Sequence, residues 1–550
     1  MKTAEYSAMG SDILKPRVQF LLLLAVCFFS FFVHISSDEL DIMEARNFIT
    51  AREMVTDGSW LLPTMNNELR IAKPPLPTWI TAVAVMMGGD ADNMLAMRIP
   101  AALTATVMVF IVFGFVGAMT QKESLLPFII ATLFALNAFV IAVGRRNSWD
   151  VYAHCFMMIV LWSLWRGWEE KNHSLSPFVI AGIASGLSFM SKGPVDFYSV
   201  LVPFSVTYIA VFGVKPIWEK RSGLLIGLII AIVISGAWPL YVYLNAPKIS
   251  VAVANEEISA WKYDCVQPVY YYLNFPFFAG AWVVMFAAYF IRPFAKIRVQ
   301  PIFDYVFPLI WLLSTLVLLS VIPSKKERYL MPVCVPMSLM IGFLIHSVAQ
   351  RYKLFQQTRG DRILINIHAG LIAIMSLAMP VAYFFLNKDV STPVVAWSGI
   401  LIAYAIMAWM TYQAGKRKRI YSLFFLTQIF MCLSLTILWP GISTKDHKNK
   451  DFSSIRELRH DHEVSGIEFY SPSPLNIKAI WDIGQKVLPW PYDNRSLPKG
   501  GKFILFFNDR KTAAKFAADY RENITFTVLG EYKWNPNMRD RSIVAALIES

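Results

Sequence analysis

The chain has 550 residues, of which 56% are hydrophobic, 14% aromatic and only 16% charged, and its mean hydropathy is +0.47. That balance excludes an ordinary soluble enzyme and, with repeated apolar runs near bilayer length, indicates a polytopic helical membrane protein. The formal net charge of +13 would suit nucleic acid, but the cations sit in short loops between apolar runs, where membrane topology accounts for them; no nucleic-acid partner is expected.

The five cysteines are scattered. Cys27, Cys155, Cys334 and Cys432 lie inside apolar runs and Cys265 stands alone, with no CxxC pair, so neither a disulfide framework nor a structural zinc is expected. The first apolar run has basic flanks but no small-residue cleavage site after it, and reads as a retained span. About 13 transmembrane helices are expected, at 18–34, 98–118, 125–143, 151–168, 177–190, 194–212, 223–243, 273–291, 305–322, 329–346, 365–386, 394–412 and 421–439. The run 77–87 is too short to cross and reads as an interfacial or re-entrant helix. The expected fold class is mainly α: a membrane domain over 1–440 and a small C-terminal α/β domain over 441–550.

Basic residues set the orientation. Lys15 and Arg17, Lys122, Arg166 and Lys171, Lys215 to Arg221, Arg292 to Arg298, Arg351 to Arg362 and Lys416 to Arg419 share one face, cytoplasmic by the positive-inside rule. The first loop (36–97), the 144–150 loop, the 244–272 loop and the C-terminal tail then face outward. Arg46, Arg70, Lys73, Arg145, Arg146, Lys192, Lys325, Lys326 and Arg328 fall on that outward face, against the rule. They read either as contacts for an anionic ligand, a phosphate above all, or as snorkelling headgroup anchors.

The first loop is the polar wedge. Asp38, Glu39, Asp41, Glu44 and Glu53 alternate there with Arg46, Arg52, Arg70 and Lys73. Ser36 with Glu39 fits a capping box, which starts a helix near Ser37 and puts Asp41 and Glu44 one turn apart on one face. Such carboxylates suit a general base or a metal ligand; a solvated surface helix is the plain alternative. Lys73 precedes Pro74 and Pro75, which stiffen its support and suit a phosphate contact or a headgroup anchor. Further on, Arg145 and Arg146 sit just before Asp150 at a span's start, where Asp150 serves either the site or the helix N-terminus. Ser191–Lys192–Gly193–Pro194 puts a lysine between two apolar runs, and Lys325–Lys326–Glu327–Arg328–Tyr329 opens another span.

The tail after Trp439 is less apolar. Residues 466–470, 502–507, 524–529 and 542–547 read as strands and 510–520 as a helix, with no catalytic signature.

The stretches EARNFITAREM (Glu44–Met54), WLLPTMNNELRIAKPPLPTW (Trp60–Trp79), RRNSWD, MSKGP (Met190–Pro194), AWPLYVY (Ala237–Tyr243) and KKERYLMP (Lys325–Pro332), taken in order, resemble the bacterial glycosyltransferase family 39 group. That group contains protein O-mannosyltransferases and lipid A aminoarabinose transferases. The resemblance implies a GT-C fold, a sugar donor on a polyprenyl phosphate and an active site on the outer side. It also implies that Lys73 and Lys192 contact the lipid phosphate, that Asp150 is the second acidic position, and that Glu44 and Arg46 match the first-loop motif. The family's usual Asp before that Glu is Met43 here, and its Tyr after the Arg is Asn47. Met43 cannot take a proton, so Glu44 or Asp41 must serve as base, or the activity differs.

The function expected is therefore an inverting transfer of a sugar from a polyprenyl-phosphate donor to a glycolipid, lipid A or protein acceptor. It would take place at the periplasmic face of a bacterial inner membrane, among membrane lipids. Glu44, Asp41 and Asp150 are the catalytic candidates. Lys73, Arg46, Lys192, Arg328, Lys325, Arg145 and Tyr329 are the donor contacts. A divalent metal ion is compatible with the carboxylates but not demanded by any spacing. Tyr270–Tyr272 and Phe275–Phe278 offer a lipid groove or an aromatic belt. The rival readings are a flippase that moves the same lipid-linked sugar without chemistry, and a receptor-like or structural membrane protein in which Met43 marks a dead active site.

Overall fold

A computed structural model describes residues 14–120, 125–170, 174–386, 394–439, 455–458, 466–491, 501–519, 524–533 and 542–549. Lys122, Lys171, Tyr520 and the start of the tail lie outside the described residues. The chain forms two compact units. The first comprises 1–35, 72–77 and 98–442; the second comprises 36–71, 78–97 and 443–550.

The first unit is helical. Each of the thirteen apolar runs falls on a helix, and among the described residues eight of those helices are long and apolar enough to cross a membrane. The bent pair Leu126–Ala135 and Ala138–Arg145 raises the number to nine. That pair was one straight run in the sequence. It breaks by 62° at Asn137, whose side chain caps the second helix by accepting the N–H of Phe139. The other four runs lie on Trp149–Glu169, Ser176–Lys192, Phe197–Phe212 and Val306–Val321, which are shorter or carry buried polar groups. Where a span was read over 273–291, a 3₁₀ run Val269–Trp282 turns at Gly280 (φ 54°) into Val283–Tyr289.

Glycines bring Ser176–Lys192 hard against Arg221–Asn245. A Cβ on Gly182 would stand 2.4 Å from the Gly227 carbonyl oxygen, and one on Gly186 would stand 2.5 Å from Ile234. Gly182 faces Gly227, Gly186 faces Ala231 and Ile234, and Gly223 faces the Phe178 side chain; Gly182 with Gly186 and Gly223 with Gly227 each keep the small-xxx-small spacing that lets two backbones approach. This contact fixes the helix that ends in Lys192.

The second unit joins the first loop to the C-terminal sheet. The helix Ile42–Asp57 does not start near Ser37, where only a 3₁₀ turn Ile35–Ser37 forms. Its N-cap is Asp41, and the capping box pairs Asp41 with Glu44 rather than Ser36 with Glu39. An aspartate caps at least as well as a serine, and its partner three residues on is again a glutamate, so the later register wins. The two-residue turn Asn66–Asn67 (φ 55° and 67°) joins β1 (Thr64–Met65) to β2 (Glu68–Leu69) as a type I′ hairpin would. Buried Glu53 holds it by accepting both turn N–H groups and the Thr64 hydroxyl.

The sheet contains β3 (Glu468–Ser471), β4 (Leu488–Pro489), β5 (Lys502–Phe507), β6 (Thr525–Lys533) and β7 (Ser542–Glu549) in the order β4-β3-β5-β7-β6. β3 runs parallel to β4 and β5; β7 runs antiparallel to β5 and β6. Along β5, Phe503, Leu505 and Phe507 enter one apolar cluster with Phe516, and Ile504 and Phe506 enter the other with Ala479 and Ile483. Both faces are covered, so the strand reads as an unbroken apolar run.

The boundary expected at 440/441 separates the apolar helices from the sheet but leaves the loop on the wrong side of it. Asn66 exchanges hydrogen bonds with Val487, Lys478 pairs with Glu39 at 2.8 Å, and Phe48 packs on Trp481. These contacts span some four hundred residues of chain, which local patterning does not register.

Candidate active site

In the first unit, four sequence candidates converge. Asp150 occupies the first turn of Trp149–Glu169, after Ser148 at the N-cap, and Ser148 donates to its Oδ2 at 3.3 Å. Lys192 is the last residue of Ser176–Lys192, where Gly193 (φ 81°) ends the helix. The Lys192 ammonium donates to Asp150 Oδ1, both side chains being buried. Tyr329, on the 3₁₀ turn Glu327–Val333, presents its ring 5.1 Å from the Lys192 ammonium and 5.8 Å from the Arg328 guanidinium. Two cations, one carboxylate and one phenol thus share a confined place.

Sequence reasoning missed two members of this cluster. His154 lies one turn beyond Asp150 on the same helix face, and its Nδ1 stands 2.8 Å from Asp196 Oδ2, with both residues buried. Asp196 also acts on Lys192, and His154 on Asp150. The i,i+4 spacing of Asp150 with His154 on one helix was the signal available; Asp196 lies past the break at Gly193, where that spacing says nothing. Buried Lys192 lies between the charges of Asp150 and Asp196, and half-buried Arg328 also acts on Asp150, so isolated burial of a charge is avoided.

The other candidates are placed differently. Lys73 pairs with Glu257 at 2.6 Å, each side chain about one third exposed (32% and 35%). Glu257 belongs to the helix Pro247–Tyr263, in what the sequence offered as a loop. Arg145 is buried and donates to the carbonyls of His34 (3.0 Å) and Ser30 (3.4 Å) while lying over the Trp439 ring. Lys325, also buried, donates to the carbonyls of Ile322 (2.7 Å) and Gln267 (3.0 Å), and desolvation pushes its pKa down. Arg145 and Lys325 therefore hold backbone carbonyls, whatever else they do.

Asp41, Glu44 and Arg46 belong to the second unit. The Asp41 Oδ1 accepts the Met43 N–H at 2.7 Å, and buried Glu44 accepts the Asp41 N–H at 3.2 Å. Both carboxylates thus serve the helix cap, whatever else they do. Arg46 is half-buried, and among the described residues its guanidinium has no hydrogen-bond or ion-pair partner. Asn47 accepts from Thr78 (2.8 Å) and donates to Thr81 (3.1 Å), tying Ile42–Asp57 to the helix Leu76–Gly88. Among the described residues no group of three or more His, Cys, Asp and Glu is gathered as a metal site.

Over 96% of this chain and 97% of the other, the backbone matches the crystal structure of ArnT from Cupriavidus metallidurans bound to undecaprenyl phosphate, with a TM-score of 0.71 at 17% identity. The chain has the GT-C glycosyltransferase fold. The apo form of the same ArnT matches at a TM-score of 0.70. The family model for dolichyl-phosphate-mannose-protein mannosyltransferases matches residues 72–239, which include Lys73, Asp150 and Lys192. An undecaprenyl phosphate-alpha-4-amino-4-deoxy-L-arabinose arabinosyl transferase of Pseudomonas fluorescens (strain Pf0-1) is 26% identical over 376 residues, 65% of this chain and 64% of that one. The corresponding transferase of Pectobacterium atrosepticum is 22% identical over 387 residues, 68% and 67% of the two chains. The chain spans about three fifths of the length of the first curated relatives it matches. The resemblance drawn from the motifs is thus met both in sequence and in the GT-C fold.

Proposed function

We propose that this GT-C chain is an integral membrane glycosyltransferase that takes a sugar from a polyprenyl-phosphate donor. The carrying observation is the buried Asp150–Lys192 pair with Tyr329 and Arg328 beside it, in a fold whose solved relative holds undecaprenyl phosphate. The acceptor is a glycolipid such as lipid A, or a protein, at the periplasmic face of a bacterial inner membrane, and all thirteen apolar runs act as spans.

The chemistry is a displacement at the anomeric carbon with inversion. An acceptor oxygen forms the new bond to that carbon as the bond to the phosphate oxygen breaks, and the polyprenyl phosphate leaves with the electron pair. Lys192, Arg328, Lys73 and Arg46 stabilise the charge developing on the leaving phosphate, each well-aimed donor contributing roughly 3–4 kcal/mol. Asp150 fixes Lys192 and orients the acceptor. Glu44, then Asp41, is the choice for the base that removes the acceptor proton.

The test is transfer of radiolabel from a polyprenyl-phosphate sugar to envelope acceptors in membranes containing the protein. Transfer that disappears in Lys192→Ala supports the reading. Absence of transfer with every donor, alongside movement of the lipid-linked sugar across vesicle bilayers, would replace it with the flippase.

A further inference from the structure

At the end of the bundle that carries the basic loops, three candidate spans stop around one cavity. Glu327–Lys353 and Val395–Lys416 finish there, and Ile420–Ile437 begins there. The cavity measures about 360 Å³, and its lining includes Tyr352, Lys353, Arg417, Lys418, Arg419 and Tyr421 but no Asp or Glu. Asp361, an acid of the neighbouring helix Arg359–Leu386, is consumed by Arg298 (2.7 Å) and Arg351 (3.4 Å).

Among the described residues no Asp or Glu pairs with these cations. Lys418, in the left-handed region at φ 56°, donates to Asn366, a neutral partner. Lys353 lies 5.6 Å from the Tyr421 ring centroid. Among the described residues Lys353, Arg417 and Arg419 form no ion pair.

The N-terminus of an eighteen-residue helix adds to the same charge. Arg419 occupies the N-cap of Ile420–Ile437, a place normally taken by a side chain with an oxygen. Arginine has no acceptor to offer, and its cation lies at the positive end of the helix dipole, so the cap is unfavourable until an outside anion arrives. A further donor waits in the wall: the Tyr352 hydroxyl is buried and, among the described residues, has no hydrogen-bond partner.

We propose that this cavity binds the phosphate of an anionic phospholipid headgroup. The position decides between a lipid and a soluble anion, because candidate spans end at the cavity and so set it at headgroup height. The alkyl stems of Lys353 and Arg419, with Ala349 and Ile420, give the glycerol backbone an apolar wall.

Full-length protein is reconstituted in nanodiscs of phosphatidylglycerol or of phosphatidylcholine, released, and its retained lipids counted by native mass spectrometry. Phosphatidylglycerol should remain bound and phosphatidylcholine should not. Lys353→Gln, Arg417→Gln and Arg419→Gln should each lower retention roughly fivefold, the effect of one cation near a lipid surface. Tyr352→Phe should lower it with every cation intact. Where a multiple variant fails to fold, Arg417→Gln alone decides, since that side chain is exposed and makes no hydrogen bond or ion pair among the described residues. Equal retention by wild type and Arg417→Gln would overturn the proposal. So would inorganic phosphate binding at the cavity while phosphatidylglycerol is not retained, which assigns it to a soluble anion.

Discussion

His154 Nδ1 and Asp196 Oδ2 lie 2.8 Å apart inside the helical unit, behind the Asp150–Lys192 pair. Asp196 is completely buried, and its charge acts on Lys192 as well as on His154. Truncating Asp196 takes the buried polar partner from the His154 imidazole and leaves Lys192 with one carboxylate neighbour, at the cost of about 1–3 kcal/mol of a buried polar group left unsatisfied. Asp196→Ala is therefore expected to lower the melting temperature of the purified protein sharply. Asp196→Asn keeps the shape and should reduce transfer more than it reduces melting, because Lys192 loses one of its two carboxylate neighbours. Equal loss of both quantities would make Asp196 a purely structural residue.

The cap at Ile42–Asp57 separates folding from chemistry in a second way. Asn caps as well as Asp, and Gln replaces Glu in a capping box, yet neither amide accepts a proton at neutral pH. Asp41→Asn and Glu44→Gln should therefore melt like the parent, whereas Glu44→Ala should cost about 1 kcal/mol as an incomplete cap. If Glu44 is the base, Glu44→Gln loses transfer while its cap survives; full turnover in both amide variants rules out both residues as base. Melting curves and transfer rates on the same preparations give the answer.

Much of the helical unit was legible in the chain because bilayer-length apolar runs need no tertiary information. Every one of the thirteen runs lies on a helix. The β5 and β7 runs were legible for the same reason, as short apolar stretches bounded by polar ones. Asp150, Lys192, Arg328 and Tyr329 stood out as polar residues at span ends, and they do meet. The losses came where one interaction outbid another at short range. Asp41 took the cap from Ser36, and Asn137 broke a continuous apolar run. Asp196 passed unnoticed because a lone aspartate in an apolar run shows its purpose only beside His154.

The glycine contact between Ser176–Lys192 and Arg221–Asn245 carries its own prediction. Gly182→Ala drives a methyl group to 2.4 Å from the Gly227 carbonyl oxygen, so the helices must part, at a cost of about 1–3 kcal/mol typical of overpacking. Gly236→Ala, on the second of these helices with nothing within 4 Å of its Cβ, should be neutral or stabilising by roughly 0.5–1 kcal/mol. Detergent melting curves of the two variants should move in opposite directions. If they move together, the close approach is not what holds Lys192's helix.

In the C-terminal sheet region, Asp509 accepts the Thr512 N–H at 2.7 Å and its hydroxyl at 2.9 Å, which hold its pKa below the usual carboxylate range. A carboxyl with a depressed folded-state pKa stabilises fully above its unfolded value near 3.9 and loses that contribution as pH falls through the folded value. The protection factor of the Thr512 amide in the full-length protein, its exchange rate relative to the free-chain rate at the same pH, should therefore be constant between neutral pH and about pH 5 and weaken only below about pH 4. Asp509→Ala should remove about 1 kcal/mol of that protection at neutral pH.

Lys73 and Glu257 give the sharpest test of the donor site, because their pairing is inexpensive to disturb. At 2.6 Å but one third exposed, the bridge is worth about 0–1 kcal/mol, and neither Lys73→Ala nor Glu257→Gln should shift melting appreciably. Binding should respond in opposite directions. If Lys73 binds the donor phosphate, that phosphate must take it from Glu257, so removing the carboxylate's charge tightens binding of undecaprenyl phosphate, while Lys73→Ala weakens it. In the double variant Glu257→Gln should have no further effect, since its influence passes through Lys73. Titration of undecaprenyl phosphate into the four proteins in detergent closes the cycle. Weaker binding in Glu257→Gln would mean that the carboxylate holds Lys73 ready for the phosphate instead of competing for it, and unchanged binding in Lys73→Ala would remove this lysine from the donor site.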